Sequence, residues 1–216
     1  MSNDIAFNGV YNRYIKRILD IIITGLALVV LWPLYFILAL LIAFEDGFPV
    51  FYRADRGGYR GEEFKICKFR TMVKNADKIG GGTTALNDPR ITKIGNFLRK
   101  TKLDEIPQIA QVFLGKMSLI GPRPELLKYV NQYEGEEKDI LQVRPGITDF
   151  SCLEYINLDE IVGSENADEM YERHVLKNKN KLRIKYAHSV SFKTDMLILF
   201  KTIFAVFDKA KRFIFK

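Results

Sequence analysis

The chain has 216 residues, of which 48% are hydrophobic and 27% are charged, and this composition excludes an intrinsically disordered protein. Lys and Arg number 33 against 26 Asp and Glu, which gives a formal net charge of +7. Such a surplus suits anionic partners, namely membranes, nucleotides, diphosphates or nucleic acid, and does not choose among them. The two cysteines lack CxxC spacing, so no structural zinc site is expected.

The first predicted element is an apolar run from Ile18 to Phe44, in which Asp20 is the only charged residue. Its length is that of a membrane span, and hydropathy alone favours a straight transmembrane helix. Basic residues, however, flank both ends of the run, which suits a segment whose two ends stay at the cytoplasmic face. Pro33 divides the run into two arms, each about half a bilayer deep. We therefore predict a re-entrant membrane helix within 1–46, bent at Pro33.

The second predicted segment, 47–190, forms a cytosolic body. Apolar and polar residues alternate around glycine turns at its start, which predicts strands at 49–53 and 63–69 joined by a hairpin. Helices are predicted near 91–101, 105–114, 124–133 and 165–185.

The tail, 191–216, combines dense Leu, Ile and Phe with spaced basic residues. We predict an amphipathic helix lying in the headgroup layer of a membrane, and a buried core helix with a basic end is the alternative. The predicted fold class is α+β and mostly helical, a small body with a membrane helix and interfacial helices.

The stretch "RKTKLDEIPQIAQVFLG" places two adjacent carboxylates beside a cationic run. Asp104 is predicted to be the N-cap of a helix that ends near Gly115, with Pro107 in its first turn. The free amides and the dipole of such a helix start would keep Asp104 ionised and attract phosphate. An ordinary helix cap without any further role is the alternative.

The stretch "LIGPRPEL" holds Arg123 between two prolines. Proline fixes the backbone angle φ, so a guanidinium on this backbone is aimed in advance, as a two-pronged phosphate clamp requires. A rigid lead-in to a helix accounts for the same residues equally well.

Six stretches follow one another along the chain, and their order is more specific than any one of them. They are "YIKRILDIII", the proline-broken apolar run, "PVFYRADRGGYRGEEFKICKFRTM", "NDPRITKIGNFLRKTKLDEIPQ", "GKMSLIGPRPE" and "VRPGIT". Together they resemble the monotopic phosphoglycosyl transferases, the bacterial sugar transferase family that starts lipid-linked glycan assembly. The resemblance covers nearly the whole chain, as the short form without an extra N-terminal domain.

The resemblance implies transfer of a sugar 1-phosphate from a UDP-sugar to polyprenyl (undecaprenyl) phosphate, with Mg²⁺ and release of UMP, as the first membrane step of exopolysaccharide or lipopolysaccharide synthesis. It also implies one integrated domain at the cytoplasmic face of the bacterial inner membrane, in contact with membrane lipids. A homodimer is left open, and nucleic acid is not an expected partner.

Site residues follow from the same resemblance. The nucleophile falls on Asp104 and its partner on Glu105, and these two carboxylates would also hold the metal. The arginine of the Pro-Arg-Pro motif falls on Arg123. Further phosphate contacts fall on basic residues of the other motifs, namely Lys68, Arg90, Arg99 and Arg144. The chain departs from the family pattern at Trp32, Gln111, Lys116 and Asp149, so the sugar and the pathway stay open.

Two readings from other classes remain. A noncatalytic, membrane-bound basic module would account for the charge, although no nucleic-acid motif is present. A metal-dependent diphosphate hydrolase would use Asp104 and Glu105 and would make no lipid product.

Overall fold

The computed structural model describes residues 6–79 and 83–215, so the outermost predicted limits, 1 and 216, lie outside the described residues. Within these ranges the protein is mostly helical with two small sheets. The predicted α+β, mostly helical class is therefore confirmed. The predicted re-entrant and interfacial placements concern a membrane and stay predictions.

The apolar run forms one long helix, α1 (Lys16–Asp46), which contains Pro33. Together with the π-helical turn Tyr11–Ile15 before it, α1 is the one helix in the described ranges that is long and apolar enough to cross a membrane. One stripe of α1 is buried and the opposite side exposes large apolar side chains such as Trp32 and Phe36. The bend at Pro33 stays a prediction.

Both ends of α1 make polar contacts with the body. At the N-terminal end, the Lys16 ammonium lies 2.5 Å from Asp195 Oδ2. At the C-terminal end, the Glu45 carboxylate accepts the backbone amide of Lys93 at 2.8 Å. Between them, the Tyr35 hydroxyl donates to the backbone carbonyl of Ile106 at 2.7 Å. These contacts hold α1 against the body at both ends and at one point between them.

The predicted hairpin is confirmed. Strands β1 (Phe51–Gly57) and β2 (Glu63–Phe69) pair antiparallel, with Phe51 opposite Phe69 and Gly57 opposite Glu63. β1 thus runs four residues beyond the predicted end at 53. A second sheet, which was not predicted, pairs β3 (Ser118–Ile120) parallel to β4 (Gly146–Thr148).

Further helices complete the body. The α-helices after α1 are α2 (Lys93–Thr101), α3 (Gln108–Phe113), α4 (Leu127–Val130), α5 (Phe150–Glu154), α6 (Leu158–Val162), α7 (Ala167–Met170), α8 (Lys177–Ser189) and α9 (Phe192–Ile214). The 3-10 and π segments are Ala6–Asn8, Tyr11–Ile15, Tyr59–Gly61, Ala76–Lys78, Leu103–Glu105, Gly135–Gln142 and Tyr171–Leu176. The helix predicted over 165–185 corresponds to α7, the following π turn and α8. The helix predicted over 124–133 is regular only in α4.

Two apolar clusters join α1 and α9 to the rest of the body. In the first, Leu38 and Ile42 of α1 pack against Phe69 of β2 and Leu98 of α2. In the second, Ile198 of α9 packs into a cluster with residues of β3 and α8. The opposite side of α9 exposes three of its phenylalanines, namely Phe200, Phe204 and Phe207. α9 therefore has one side in the core and an exposed apolar side opposite, and the predicted amphipathic helix in the headgroup layer stays a prediction.

Candidate active site

The adjacent carboxylates lie in a tight 3-10 turn, Leu103–Glu105, between α2 and α3. Lys102 ends α2 in the left-handed region, with φ of 62°, and this reverses the chain sharply. The prediction that Asp104 caps the next helix is wrong, because α3 begins at Gln108 and its N-cap is Pro107. The Asp104 carboxylate instead lines a cleft of about 1500 Å³.

Three separate elements bring cations to this turn. Lys68 comes from β2, Arg99 from α2 and Arg123 from the loop after β3. The prolines on both sides of Arg123 fix its loop. A close backbone crossing fixes the loop further, since a Cβ on Gly146 would lie 2.1 Å from the Gly121 nitrogen.

Glu105 is the centre of the ion-pair cluster. Arg123 donates to both of its oxygens, from Nη2 to Oε1 at 2.6 Å and from Nη1 to Oε2 at 2.9 Å. The Lys68 ammonium donates to the same Oε1 at 3.2 Å. Burial alone would raise the pKa of Glu105, but Arg123 and Lys68 outweigh it, and the pKa lies well below its usual range. Glu105 is therefore a fixed anion.

Asp104 is less engaged than its neighbour. Its Oδ2 lies 4.0 Å from the Lys68 ammonium, and its Oδ1 is buried without a hydrogen-bond partner among the described residues. Burial raises the pKa of Asp104, and Lys68 opposes that rise. A desolvated carboxylate oxygen without a donor is a better nucleophile or metal ligand than one held by hydrogen bonds.

The three other basic residues that were predicted to contact phosphate differ in their partners and positions. Arg99 lines the cleft and donates to two hydroxyls, to Thr84 Oγ1 at 2.6 Å and to Thr71 Oγ1 at 3.4 Å. Arg90 also lines the cleft, but its guanidinium is bound to both oxygens of Asp88. Arg144 lies over the Tyr59 ring at 5.0 Å from its centroid, away from the cleft-lining residues that the structure describes. The site thus gathers Lys68, Arg99, Asp104, Glu105 and Arg123, and it leaves out Arg144.

The site offers one unpartnered carboxylate oxygen to a magnesium ion, Asp104 Oδ1. Mg²⁺ is usually held by one or two carboxylates together with substrate phosphates and water, and Asp104 Oδ1 is a buried oxygen that still needs a partner. Glu105 would join as a second ligand only by exchanging a hydrogen bond to Arg123 or Lys68 for the metal. No cluster of three or more His, Cys, Asp or Glu side chains suited to a metal occurs in residues 6–79 and 83–215.

Two departures from the family pattern have structural roles. Gln111 bridges α3 to β2, because its Oε1 accepts the Cys67 amide at 2.8 Å and its Nε2 donates to the Lys65 carbonyl at 2.7 Å. Asp149 caps α5 by accepting the Cys152 amide at 2.8 Å. Trp32 and Lys116 are exposed.

The cleft also contains residues that the sequence did not indicate. Glu125 follows the Pro-Arg-Pro motif and accepts hydrogen bonds from Tyr171 at 2.5 Å and Arg183 at 3.0 Å. Burial raises the pKa of Glu125 but Arg183 lowers it more, to about 2. Lys179 of α8 lines the same wall and is 7% exposed. Both basic residues belong to "LKNKNKLR" (176–183), a polar pattern typical of a solvated helix face.

Known proteins resemble this chain over nearly its whole length. The family described as bacterial sugar transferase matches residues 11–209 of the chain. The exopolysaccharide production protein ExoY of Sinorhizobium fredii is 34% identical over 206 residues, which cover 88% of this chain and 84% of that protein.

Two further relatives are longer proteins. The UDP-glucose:undecaprenyl-phosphate glucose-1-phosphate transferase of Escherichia coli K12 is 35% identical over 208 residues, 94% of this chain and 42% of its own length. The UDP-N-acetylgalactosamine-undecaprenyl-phosphate N-acetylgalactosaminephosphotransferase of Aeromonas hydrophila is 34% identical over 193 residues, 88% of this chain and 43% of its own length. The chain therefore spans less than half the length of these two relatives.

Proposed function

This chain belongs to the bacterial sugar transferase family and is a phosphoglycosyl transferase, and we propose that it moves a sugar 1-phosphate from a UDP-sugar to undecaprenyl phosphate. UMP is the second product, and the lipid-linked sugar begins the assembly of a polysaccharide. The observation that carries the proposal is Asp104 Oδ1, a buried carboxylate oxygen without a hydrogen-bond partner among the described residues, on the wall of a cationic cleft.

In the proposed first step, an Asp104 oxygen attacks the phosphorus that carries the sugar. The bond between this phosphorus and the bridging oxygen breaks, and UMP leaves with that oxygen and its electron pair. In the second step, a phosphate oxygen of the lipid attacks the same phosphorus, and the Asp104 carboxylate is released. Two observations support an attack by Asp104, namely its position on the wall of the cleft and an Oδ1 without a hydrogen-bond partner among the described residues.

The cations of the site make this attack feasible. A diphosphate repels an incoming carboxylate, so its charge has to be neutralised first. Lys68 lies 4.0 Å from Asp104 Oδ2, and both Lys68 and Arg123 pair with the adjacent Glu105, so these three side chains together carry one net positive charge. Arg99 is held by neutral hydroxyls, so its charge is available to an anion. A bound Mg²⁺, held by Asp104 and Glu105, would supply further neutralisation of the diphosphate.

We propose that the protein is monotopic at the cytoplasmic face of the inner membrane. The contacts at both ends of α1 support this, since Lys16 and Glu45 bind the same charged body. A helix that crossed a bilayer would place those two residues on opposite sides of about 30 Å of hydrocarbon. The exposed phenylalanines of α9 provide a second apolar face for the same membrane.

A panel of UDP-sugars tests the proposal, beginning with UDP-glucose and UDP-N-acetylgalactosamine. Without lipid acceptor, the purified enzyme should release at most one UMP per molecule and gain the mass of a phosphosugar on the peptide that contains Asp104. The variant Asp104→Asn should lose both effects, whereas Asp55→Asn, at an exposed carboxylate, should keep them.

Two results would contradict parts of this scheme. UMP formation that requires both substrates, without any adduct, would make Asp104 a ligand or base in a direct transfer. Sugar phosphate released to water, without a lipid product on thin-layer analysis of radiolabelled sugar, would identify a hydrolase.

A further inference from the structure

Lys179 is a buried cation that the transfer at Asp104 does not use. It lies near the N-terminal end of α8 and lines the cleft, while only 7% of its surface is exposed. Lys68 and Arg123 reach the cleft from β2 and from the loop after β3, so Lys179 comes from a different element.

No hydrogen bond or ion pair to any residue in 6–79 or 83–215 occupies the Lys179 ammonium. Its one close contact is the Tyr171 ring, whose centroid lies 5.1 Å from Nζ. An ammonium has three donors, and Lys179 lines the cleft with none of them bonded to a described residue. The side chain is therefore suited to an acceptor that enters the cleft.

The nearby carboxylates do not form ion pairs with Lys179, although Asp149 Oδ2 is buried without a hydrogen-bond partner among the described residues. Glu125 accepts from Tyr171, from Arg183 and from the amide of Leu126. Asp149 uses Oδ1 to cap α5, and its other oxygen lies beyond ion-pair distance of Lys179. Arg183 completes its own pair with Glu125, so Lys179 is the cation of this wall without a direct anionic partner among the described residues.

We propose that Lys179 forms a second phosphate subsite in the cleft, separate from the cluster around Glu105. The inference rests on the proposed function, because that reaction brings three phosphorus atoms together, two from the nucleotide diphosphate and one from the lipid. The Glu105 cluster faces the phosphorus that Asp104 attacks. A phosphate held by Lys179 is then either part of the nucleotide or the phosphate of the lipid acceptor.

The charge state of Lys179 supports an anion as its partner. Burial lowers the pKa of Lys179 to about 8, and a bound phosphate would raise it again. The groups that face Lys179 are Arg183, Glu125, Cys152, Asp149 and Tyr171. Burial raises the pKa of Cys152 to about 11 and raises that of Tyr171 as well. Binding of an anion near pH 8.5 should therefore be accompanied by uptake of a proton, and Lys179 should be the group that takes it up.

Binding measurements on full-length protein in detergent test the subsite without turnover. The probes are UDP and a short-chain polyprenyl monophosphate, each titrated into wild type, Lys179→Met and Lys181→Met. Lys181 is the matched control, since it is an exposed lysine on the same helix. We expect Lys179→Met to bind one probe at least about tenfold more weakly, as loss of a charge-assisted hydrogen bond implies. Lys181→Met should bind both probes like wild type.

The two probes identify the source of the phosphate. Weaker binding of UDP alone assigns the subsite to the nucleotide, and weaker binding of the lipid phosphate alone assigns it to the acceptor. Calorimetry of wild type in two buffers with different ionisation enthalpies should show proton uptake near pH 8.5, which Lys179→Met should lose. If Lys179→Met does not fold, Lys179→Gln takes its place.

Two results would overturn the subsite. One is equal binding of both probes by wild type and a folded Lys179 variant, and the other is binding of neither probe by wild type. If Lys179 governs binding but no UDP-sugar yields UMP, the subsite stands and the proposed transfer fails, so the two failures are distinguishable.

Discussion

Glu105 and Arg123 form a two-pronged ion pair, with donor–acceptor distances of 2.6 and 2.9 Å. Arg123 also donates to the Ile147 carbonyl at 3.0 Å, so three acceptor atoms fix its planar head. Because Glu105 directly follows Asp104 in the chain, the same contacts orient the turn that carries the proposed nucleophile. The pair therefore supports the position of Asp104 and also holds the Arg123 guanidinium in the cleft.

The first prediction concerns this fork. Arg123→Lys keeps the charge but loses the planar pair of donors, so turnover should fall by at least about tenfold, or roughly 1.4 kcal/mol of barrier. Initial rates of UMP formation at saturating substrates measure the effect. Arg60→Lys, at an exposed arginine, is the matched control. Near-normal turnover of folded Arg123→Lys would show that Arg123 has only a structural role before the next helix.

The second prediction concerns the pH dependence of the first step. Burial raises the pKa of Asp104 above its ordinary 3.8, and only the ionised carboxylate can attack. The rate of adduct formation should therefore fall at a pH above 3.8 as the medium is acidified. Lys68 lowers the pKa of Asp104, so in Lys68→Met this fall in rate should occur at a still higher pH.

Lys65→Met is the control for that shift, because Lys65 lies on the same strand and pairs with exposed Asp55. The profile of Lys65→Met should match that of wild type. An acid limb that is the same in Lys68→Met and wild type would show that Asp104 ionisation does not govern the step.

The third prediction concerns the packing of α1 on the body. Leu98 is completely buried against Leu38 and Ile42, so Leu98→Ala should lower the free energy of unfolding by about 2–5 kcal/mol. Its neighbour Phe97 is 39% exposed, and Phe97→Ala should cost clearly less. Denaturant titration in detergent gives both values, and equal costs would argue against a shared core.

The fourth prediction concerns the buried Glu125–Arg183 pair. The pKa of Glu125 is about 2 in the folded protein and ordinarily 4.5, so its stabilising effect is complete above pH 4.5 and is lost as the pH falls through 2. Wild type should be more stable than Glu125→Gln at pH 7, and the difference should shrink between those two values. Melting temperatures in detergent across that range measure it, and a constant difference would be inconsistent with the pair.

The fifth prediction concerns topology. In a cysteine-free background, single cysteines at Asn8 and Lys138 should both be protected from a membrane-impermeant reagent in intact cells and labelled after lysis. Pro33→Leu should favour a straight span and expose the cysteine at position 8. Labelling of that position in intact cells with Pro33 present would refute the re-entrant helix.

Sequence patterns predicted those parts of the fold that depend on local order. The hairpin of β1 and β2 follows from alternation around glycines, and α1 follows from hydropathy. The parallel pairing of β3 with β4 did not emerge, because each strand has three residues and no alternation to detect. Pairing of segments so far apart in sequence is determined by tertiary packing.

The candidate site, too, was predicted only in part. The resemblance identified the residues that lie together, namely Asp104, Glu105, Arg123, Lys68 and Arg99, although it could not indicate that Asp104 precedes its helix. It also placed Arg144 among the phosphate contacts, whereas the structure puts that side chain over Tyr59. Lys179 went unnoticed because its burial depends on how α8 packs over the cleft.

The hydrogen bond from Tyr35 to the Ile106 carbonyl has a consequence for how the enzyme finds its lipid. Because Ile106 directly follows Glu105, this hydrogen bond attaches the turn that carries Asp104 to α1. The distance of Asp104 from the hydrocarbon is therefore fixed when α1 lies in the bilayer. With α1 in the bilayer, the encounter with the lipid acceptor becomes a lateral search in two dimensions. Its rate is then set by the number of acceptor molecules per unit area. Diluting the acceptor with inert lipid should therefore slow turnover even when the total amounts of enzyme and acceptor stay constant.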